Sequence, residues 1–337
     1  MKARNDWVDC AKGIGIILVV YGHVARGLIN AGLPIDANLF SLVDSIIYSF
    51  HMPLFFFLSG LFFFNSLEKW GGVGLVVSKV DAILYPYVLW SILQGVIEVI
   101  LSNYTNGSLT YGEVFSFAWH PRAQFWFLYV LFFIFAIFSM FCTFSIKPQP
   151  MYLFFFAIVL YGMGIYFPGL LSGGITNNAI YFALGAWCYV FNELLFERRV
   201  GLFLFFLTVF VFFQYIFHIV LKLNYTDKGL LRLILSLTSI SFIVFLAMCL
   251  SELRVKWLLF IGSSSMAIYL MHILAGSGTR VILKNLLGIQ STSLHLVVGT
   301  FLGVAMPLVA LFIINRYKLN FLIRPPKFLS LSRYYKN

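Results

Sequence analysis

Long apolar runs separated by short polar stretches dominate the hydrophobic pattern of this chain. Ten runs are apolar and long enough to predict helices that cross a lipid bilayer, which needs about 20 residues per helix. The predicted segments are residues 10–29, 40–64, 79–101, 122–145, 151–168, 177–195, 200–221, 229–251, 257–276 and 294–315. The pattern therefore predicts an all-α, polytopic integral membrane protein with about ten transmembrane helices.

The amino-acid composition supports a membrane protein. Hydrophobic residues make up 61% of the chain and charged residues only 10%, whereas a soluble domain contains about 25% charged residues. The net charge of +11 would suggest a nucleic-acid partner in a soluble chain, but here the basic residues lie between apolar runs. Anionic lipid headgroups and anionic cytosolic ligands explain such charges better. We therefore expect membrane lipids as partners and no nucleic acid.

Lysine and arginine are unevenly divided between the two sides of the predicted membrane. Sixteen lie on one side and seven on the other, so the positive-inside rule predicts that both termini are cytoplasmic. The connections are short, and the longest, Ser102–Pro121 and Ser277–Ser293, are expected to face outward. We interpret residues 1–337 as a single membrane domain, with residues 316–337 forming a basic cytoplasmic tail on the inner membrane surface.

Three histidines are predicted at one depth in the membrane. His23 lies about 13 residues into the first helix, His51 about 13 residues from the inner end of the second, and His272 about 15 residues into the ninth. At about 1.5 Å per residue, each lies about 20 Å from the inner boundary, which predicts a shared cavity. A packing role is the alternative for each ring. With no carboxylate nearby in sequence, we expect no metal site. Pro53, just after His51, predicts a break in its helix.

Lys12 precedes His23 by eleven residues. That spacing amounts to about 1100° on a helix, so both residues lie on one face, about 16 Å apart. A neutral imidazole in a water-poor cavity can take a proton from an alcohol that attacks an activated acyl group. Lys12, Arg4 and Lys79 at the inner surface could hold a large anionic donor such as coenzyme A. The alternative is that these basic residues only set the topology.

Other polar and aromatic residues in the membrane are interpreted more simply. Gln94 and Glu98 share one helix face, and Glu98 near the outer end is either solvated or part of a substrate path. His218 and His295 lie at outer boundaries and are expected to be interfacial. Trp126 is either a residue of the aromatic belt or a platform on which a sugar stacks.

Five stretches of the chain, read in order, carry distinctive motifs. The first is Arg4-x-x-Trp-x-Asp-x-Ala-Lys12-Gly with Val-Val-x-Gly-His23, which includes a Lys/Arg-x10-His motif. The others are residues 50–60 (Phe-His-Met-Pro-Leu-Phe-Phe-Phe-Leu-Ser-Gly), 126–128, 181–185 and 261–272. Together they resemble the membrane acyltransferase 3 family, and within it the subgroup of fucose 4-O-acetylases and related polysaccharide O-acetyltransferases.

This resemblance implies transfer of an acyl group, usually acetyl, from cytoplasmic acyl-CoA to a hydroxyl of a cell-envelope glycan. It implies that His23 is the catalytic base and that Lys12 lies near the donor. Arg4 and Asp9 belong to the same motif and are grouped with Lys12 as residues that bind the donor. The third helix offers only Lys79 where the family often has an arginine, so the assignment of donor binding to this helix is weaker.

The resulting prediction is a multi-pass acetyl-CoA-dependent O-acetyltransferase of the bacterial inner membrane. Its acceptor would be O-antigen, capsule or exopolysaccharide, or a lipid-linked precursor, and no cofactor would be bound permanently. The candidate residues are His23, His51 and His272 for catalysis, Lys12, Arg4, Asp9 and Lys79 for the donor, and Trp126, Arg122 and Glu98 for the substrate. The alternatives are a transporter or flippase with a histidine proton relay, and a non-catalytic component of an envelope-synthesis complex. The sugar, the hydroxyl position and the oligomeric state stay open.

Overall fold

The computed structural model describes residues 6–102, 110–144, 149–167, 169, 172–188 and 199–335, and their regular secondary structure is helical. No strand occurs among them. Eight described helices are long and apolar enough to cross a membrane: Asp6–Asn30, Ala37–Gly60, Phe63–Ile100, Gly112–Phe144, Arg199–Val220, Leu230–Glu252, Ser265–Leu286 and Thr292–Arg316. The prediction of an all-α polytopic membrane protein is confirmed, while the total of ten spans and the cytoplasmic termini stay predictions.

Two further predicted segments are represented by shorter helices. The segment 151–168 corresponds to the helix Pro150–Tyr166. The segment 177–195 corresponds to the helix Gly173–Cys188, and its predicted end lies outside the described residues.

The second predicted segment contains the break expected at its proline. The structure has one helix at Ala37–Tyr48 and another at His51–Gly60. Pro53 has no N–H, so it cannot bond to the carbonyl of Ser49 one turn earlier. The Ser236 hydroxyl instead donates to this carbonyl over 2.6 Å. A side chain from a neighbouring helix thus satisfies the backbone group that the proline leaves open.

The prediction that residues 65–78 form a connection is wrong. The structure has a helix at Phe63–Lys79, kinked at Gly71 where φ is 67°, and a π-helical turn at Val80–Leu84 leads into Tyr85–Ile100. Glycine in this stretch permits close packing, because a Cβ at Gly72 would lie only 1.8 Å from the Thr143 hydroxyl oxygen.

The ninth predicted segment, 257–276, is wrong as a single helix. The structure has a short helix at Lys256–Ser263 and a second at Ser265–Val281, which continues as a π-helical turn to Leu286. Most of the predicted loop Ser277–Ser293 is therefore helical. Beyond Gly276, Arg280 donates to the Gly27 carbonyl in the first helix, and Lys284 donates to the Ala31 carbonyl just after that helix.

The chain divides into two compact units, residues 1–58 with 188–305 and residues 59–187 with 306–337. In the first unit the helix Asp6–Asn30, called α1 below, packs against the helices Leu230–Glu252, Lys256–Ser263 and Ser265–Val281. The approach to Lys256–Ser263 is close, because a Cβ at Gly262 would lie 1.7 Å from the Asp9 carbonyl oxygen. Small residues allow membrane helices to pack at such short separations.

The second unit is built around aromatic packing. The rings of Phe63, Phe135, Phe138 and Phe182 form a cluster with centroids 4.8 to 6.4 Å apart. Aromatic rings at these separations pack with specific geometry as well as apolar area. The helix Phe63–Lys79 lies against the helix Trp126–Phe144 in the same unit.

Candidate active site

His23 and His272 lie side by side in the first unit. Their ring centroids are 5.1 Å apart, with the ring planes tilted by 59°. His272 is 1% exposed, whereas His23 is partly exposed to a cavity of about 40 Å³. The prediction that these two histidines share one level and one cavity is confirmed.

The helices place these rings through their spacing and their small residues. His23 and Gly27 are one turn apart on α1, and His272, Gly276 and Arg280 follow each other at four-residue intervals on the helix Ser265–Val281. Residues four apart lie on one helix face. A Cβ at Gly276 would lie 3.2 Å from the Val24 side chain, so the two helices are close. This approach brings the two polar faces together around the cavity.

Backbone hydrogen bonds define which nitrogen of His272 carries the proton. Nδ1 lies 3.1 Å from the Ile268 carbonyl oxygen and 2.9 Å from the Tyr269 carbonyl oxygen. Carbonyl oxygens only accept, so Nδ1–H is the donor and a neutral ring has its lone pair on Nε2. This Nε2 is buried and has no hydrogen-bond partner among the described residues.

Two further polar residues of this cavity, Arg280 and His295, were missed by the sequence reasoning. Both line the cavity together with His23 and His272. His295 lies in the first turn of the helix Thr292–Arg316, is 1% exposed, and its Nε2–H donates to the Ile289 carbonyl over 2.9 Å. Its level at the membrane boundary stays a prediction. Arg280 follows His272 by eight residues, so its direction around the helix axis differs from that of His272 by about 80°. That spacing was a usable signal, but the helix was expected to end at residue 276.

His51 lies on a different side of α1. Its Nδ1–H donates to the Ile47 carbonyl over 2.7 Å, and its ring stands edge-on to Tyr48 with centroids 4.4 Å apart. Tyr48 in turn lies against Gly22 and beneath the Arg26 guanidinium. His51 does not line the cavity of His23 and His272. The prediction of one cavity for all three histidines is therefore wrong for His51.

Around Tyr48, a charged cluster holds the connection before the helix Leu230–Glu252. Arg26 forms a two-pronged ion pair with Asp44, with both N–O distances at 2.8 Å, and also donates to the Tyr225 hydroxyl. The Arg26 guanidinium lies 3.4 Å from the centroid of the Tyr48 ring. Such a pair places a compensated charge inside the helical bundle.

Lys12 and Asp9 lie near the start of α1. The Lys12 ammonium is 3.9 Å from the Asp9 carboxylate, and the side chain of Asp9 is the more buried of the two. Since α1 is continuous from Asp6 to Asn30, its rise places Lys12 about 16 Å from His23 along the helix axis. Arg4, the other predicted donor residue of this motif, lies outside the described residues.

The remaining candidate residues belong to the second unit. The half-buried Lys79 lies with its ammonium 4.2 Å from the centroid of the Phe135 ring. Glu98 and Arg122 form an ion pair at 3.2 Å, and Gln94 donates to Glu98 over 2.8 Å. The prediction that Gln94 and Glu98 share one face is confirmed. Trp126 begins the helix Trp126–Phe144 and is partly exposed.

No group of three or more His, Cys, Asp or Glu side chains in the described part of the chain is placed to hold a metal ion. Cys10 and Cys142 are buried in the helical bundle. The imidazole rings of His23 and His272 can transfer protons and form hydrogen bonds.

Comparison with known proteins identifies a family match across nearly the whole chain. The profile of a family described as "Acyltransferase domain" matches residues 5–312. The nodulation protein NolL of Mesorhizobium japonicum is 36% identical over 90 residues, a stretch that covers 27% of this chain and 24% of that protein. This chain therefore aligns with about a quarter of the length of NolL. No solved structure matches significantly.

Proposed function

Because the chain belongs to the acyltransferase family whose profile spans residues 5–312, we propose that it is a membrane O-acetyltransferase. Its donor would be cytoplasmic acetyl-CoA. Its acceptor would be a sugar hydroxyl of a cell-surface polysaccharide or of a lipid-linked precursor, in the inner membrane of a bacterium. The family match favours acyl transfer over transport of envelope lipids by a histidine proton relay.

The observation that supports this chemistry best is the His23–His272 pair beside a cavity. A general base needs a lone pair within reach of the substrate proton and a partner that stabilises the charge it gains. At a centroid separation of 5.1 Å, ring nitrogens that face each other come within hydrogen-bonding distance. The Nδ1–H of His272 is held by two carbonyls, and its Nε2 makes no hydrogen bond within the described residues. In the proposed reaction, this Nε2 accepts a hydrogen bond from an N–H of His23. His272 thus acts as a positioning residue.

In the proposed reaction, His23 takes the proton of the sugar hydroxyl while the oxygen of that hydroxyl bonds to the thioester carbon. The electron pair of the thioester C=O bond moves onto the carbonyl oxygen. When this pair re-forms the C=O bond, the C–S bond breaks. The coenzyme A thiolate then takes the proton back from the imidazolium of His23. The products are an acetyl ester and the free thiol, with no net gain or loss of protons.

Lys12 is the proposed contact for the phosphates of the donor. The pantetheine arm of coenzyme A would bridge the ~16 Å of helix between Lys12 and His23. Asp9, next to Lys12, orients its ammonium. Arg4 and Lys79 are proposed as further donor contacts, and Trp126, Arg122 and Glu98 as acceptor contacts.

To test this function, the full chain is purified into lipid nanodiscs and incubated with radiolabelled acetyl-CoA and a panel of p-nitrophenyl glycosides. We expect label to transfer to at least one glycoside as an ester, whose position NMR identifies. His23→Ala should reduce the rate by about 10²- to 10⁴-fold, the usual contribution of a general base. His120→Gln, which changes an exposed histidine, is the matched control and should leave the rate unchanged.

A second arm tests the donor site. Lys12→Ala should raise the KM for acetyl-CoA by about tenfold with kcat preserved, because a hydrogen bond to a charged group contributes about 1.5–3 kcal/mol. Lys256→Ala removes an exposed lysine and is the control. Transfer at the wild-type rate by His23→Ala would refute the assignment of the base. Transport of glycans without acetyl-CoA, and with no labelled ester, would refute the proposed function itself.

A further inference from the structure

The cavity beside His23 carries hydrogen-bonding capacity that the proposed proton transfer does not use. His295 is buried, and its Nε2–H donates to the Ile289 carbonyl. In the neutral ring this leaves one lone pair on Nδ1. That nitrogen has no hydrogen-bond partner among the described residues. The cavity wall thus includes one ring acceptor that the proposed proton transfer leaves unused.

Arg280 supplies the complementary donors. Its side chain is 9% exposed in total, and one guanidinium nitrogen donates to the Gly27 carbonyl over 2.7 Å. Across the described part of the chain, this is the one hydrogen bond that the Arg280 side chain makes. A guanidinium has five N–H groups, so four are not used by this bond, and Arg280 lines the cavity.

A mixed set of donors and acceptors selects for a particular chemistry of ligand. A carboxylate or phosphate only accepts hydrogen bonds, so the His295 lone pair would face its oxygens without a proton between them. A hydroxyl group both donates and accepts, and so satisfies a histidine nitrogen and the guanidinium together. The volume of about 40 Å³ holds about three water-sized groups, which suits hydroxyls on one edge of a sugar ring.

The positions along α1 specify which hydroxyls these are. Arg280 bonds at Gly27, one helical turn of about 6 Å beyond His23. If one hydroxyl gives its proton to His23, the next hydroxyl on the same ring lies toward Arg280 and His295. Both line the cavity that reaches His23.

We infer that Arg280 and His295 bind the hydroxyl next to the one that is acetylated, so that the enzyme requires an acceptor with two neighbouring hydroxyls. This inference rests on the proposed function, and it adds the class of acceptor and two residues that determine specificity. A site built to bond a hydroxyl discriminates strongly against an analogue that lacks it, because its buried polar groups are then unpaired.

The test uses the full chain in nanodiscs, acetyl-CoA, and the p-nitrophenyl glycoside that accepts acetyl best. The same glycoside lacking the hydroxyl on each carbon next to the acetylated position serves as the analogue. In the wild type, we expect kcat/KM to fall by about 100-fold or more with one of these deoxy analogues. In Arg280→Met and in His295→Phe, the ratio of kcat/KM for the full glycoside to kcat/KM for the deoxy analogue should fall toward one, because the groups that recognise the hydroxyl are gone.

Further variants separate recognition from structure. Arg280→Lys keeps a charge near Gly27 and should preserve part of the discrimination, while His218→Phe changes a histidine outside the cavity and should leave the ratio at its wild-type value. A purely structural role for Arg280 and His295 would lower kcat/KM equally for both acceptors. An unchanged ratio in folded variants therefore overturns the inference. If the wild type acetylates no glycoside, the proposed function fails and the inference fails with it. If the wild type acetylates the glycoside and its deoxy analogues equally well, only the inference fails.

Discussion

At the scale of single residues, His272 shows how a fold selects one tautomer of a neutral imidazole ring. Two carbonyl oxygens of its own helix face Nδ1, so the proton stays there and the lone pair is directed from Nε2. The same ring lies next to His23, which has no hydrogen-bond partner within the described residues. His23 is therefore free to bond to a substrate, while His272 has its orientation held by the backbone.

This difference predicts unequal effects of two substitutions at His272. His272→Leu should lower kcat by roughly 10²-fold, because the imidazolium of His23 loses its acceptor. His272→Gln should retain more activity, since its amide oxygen still accepts a hydrogen bond. Steady-state kinetics in nanodiscs, with thermal unfolding to verify the fold, measure both. Equal losses in folded Leu and Gln variants would contradict this role.

At the scale of helices, the contact between α1 and the helix Lys256–Ser263 depends on glycine. The ideal Cβ of Gly262 would lie 1.7 Å from the carbonyl oxygen of Asp9, a backbone atom that cannot rotate away. The same surface includes Gly13, whose Cβ would lie 2.7 Å from Leu258. Small residues on both helices thus allow the backbones to meet near Lys12.

Gly262→Ala should therefore force these two helices apart. We expect a loss of about 1–3 kcal/mol in the free energy of unfolding, the usual penalty for overpacking, and a fall of a few degrees in Tm. Gly201→Ala is the matched control, because no atom lies within 4 Å of its Cβ position. Thermal unfolding in detergent compares the two. Similar Tm values for both variants would show that the contact tolerates a methyl group.

Another helix-scale device compensates for Pro53. A proline inside a membrane helix leaves one carbonyl without its N–H, and in lipid such a group is expensive. The Ser236 hydroxyl donates to this carbonyl of Ser49 over 2.6 Å. The break beside His51 is thereby stabilised by a different helix of the same unit.

At the scale of the whole molecule, the C-terminal tail is part of the fold of the second unit. Asp81 accepts hydrogen bonds from the hydroxyls of Ser330 and Ser332 and from the backbone N–H groups of Leu331 and Ser332. Further along the same helix, Trp90 donates to the Leu322 carbonyl over 2.7 Å. These bonds attach the tail to the middle of the helix Phe63–Ile100.

Asp81→Ala should release the end of the tail. The four hydrogen bonds to its carboxylate are lost together, so trypsin should cleave after Lys327 and Arg333 faster than in the wild type. Limited proteolysis followed by mass spectrometry measures the rate. Glu68→Ala, which changes an exposed acidic residue on the preceding helix, is the control. Equal cleavage rates in both variants would show that Asp81 does not hold the tail.

The sequence by itself determined the class of protein and the helical level of two histidines. A membrane helix satisfies its backbone groups internally, so an apolar run specifies a span without reference to its neighbours. The constant rise along each helix then predicted that His23 and His272 share a level, and their rings are 5.1 Å apart. The Lys12–His23 spacing follows from the same regularity, since both lie on the continuous α1.

Only the tertiary structure decided which residues face each other. The level of a residue along a helix does not give the direction of its side chain around the helix axis. The prediction of a cavity shared with His23 was therefore correct for His272 but not for His51, which packs on Tyr48. Likewise, the burial of Arg280 and His295 depends on contacts with α1 and with the connection before residue 292. These contacts join residues far apart in sequence, and local hydrophobic pattern carries no record of them.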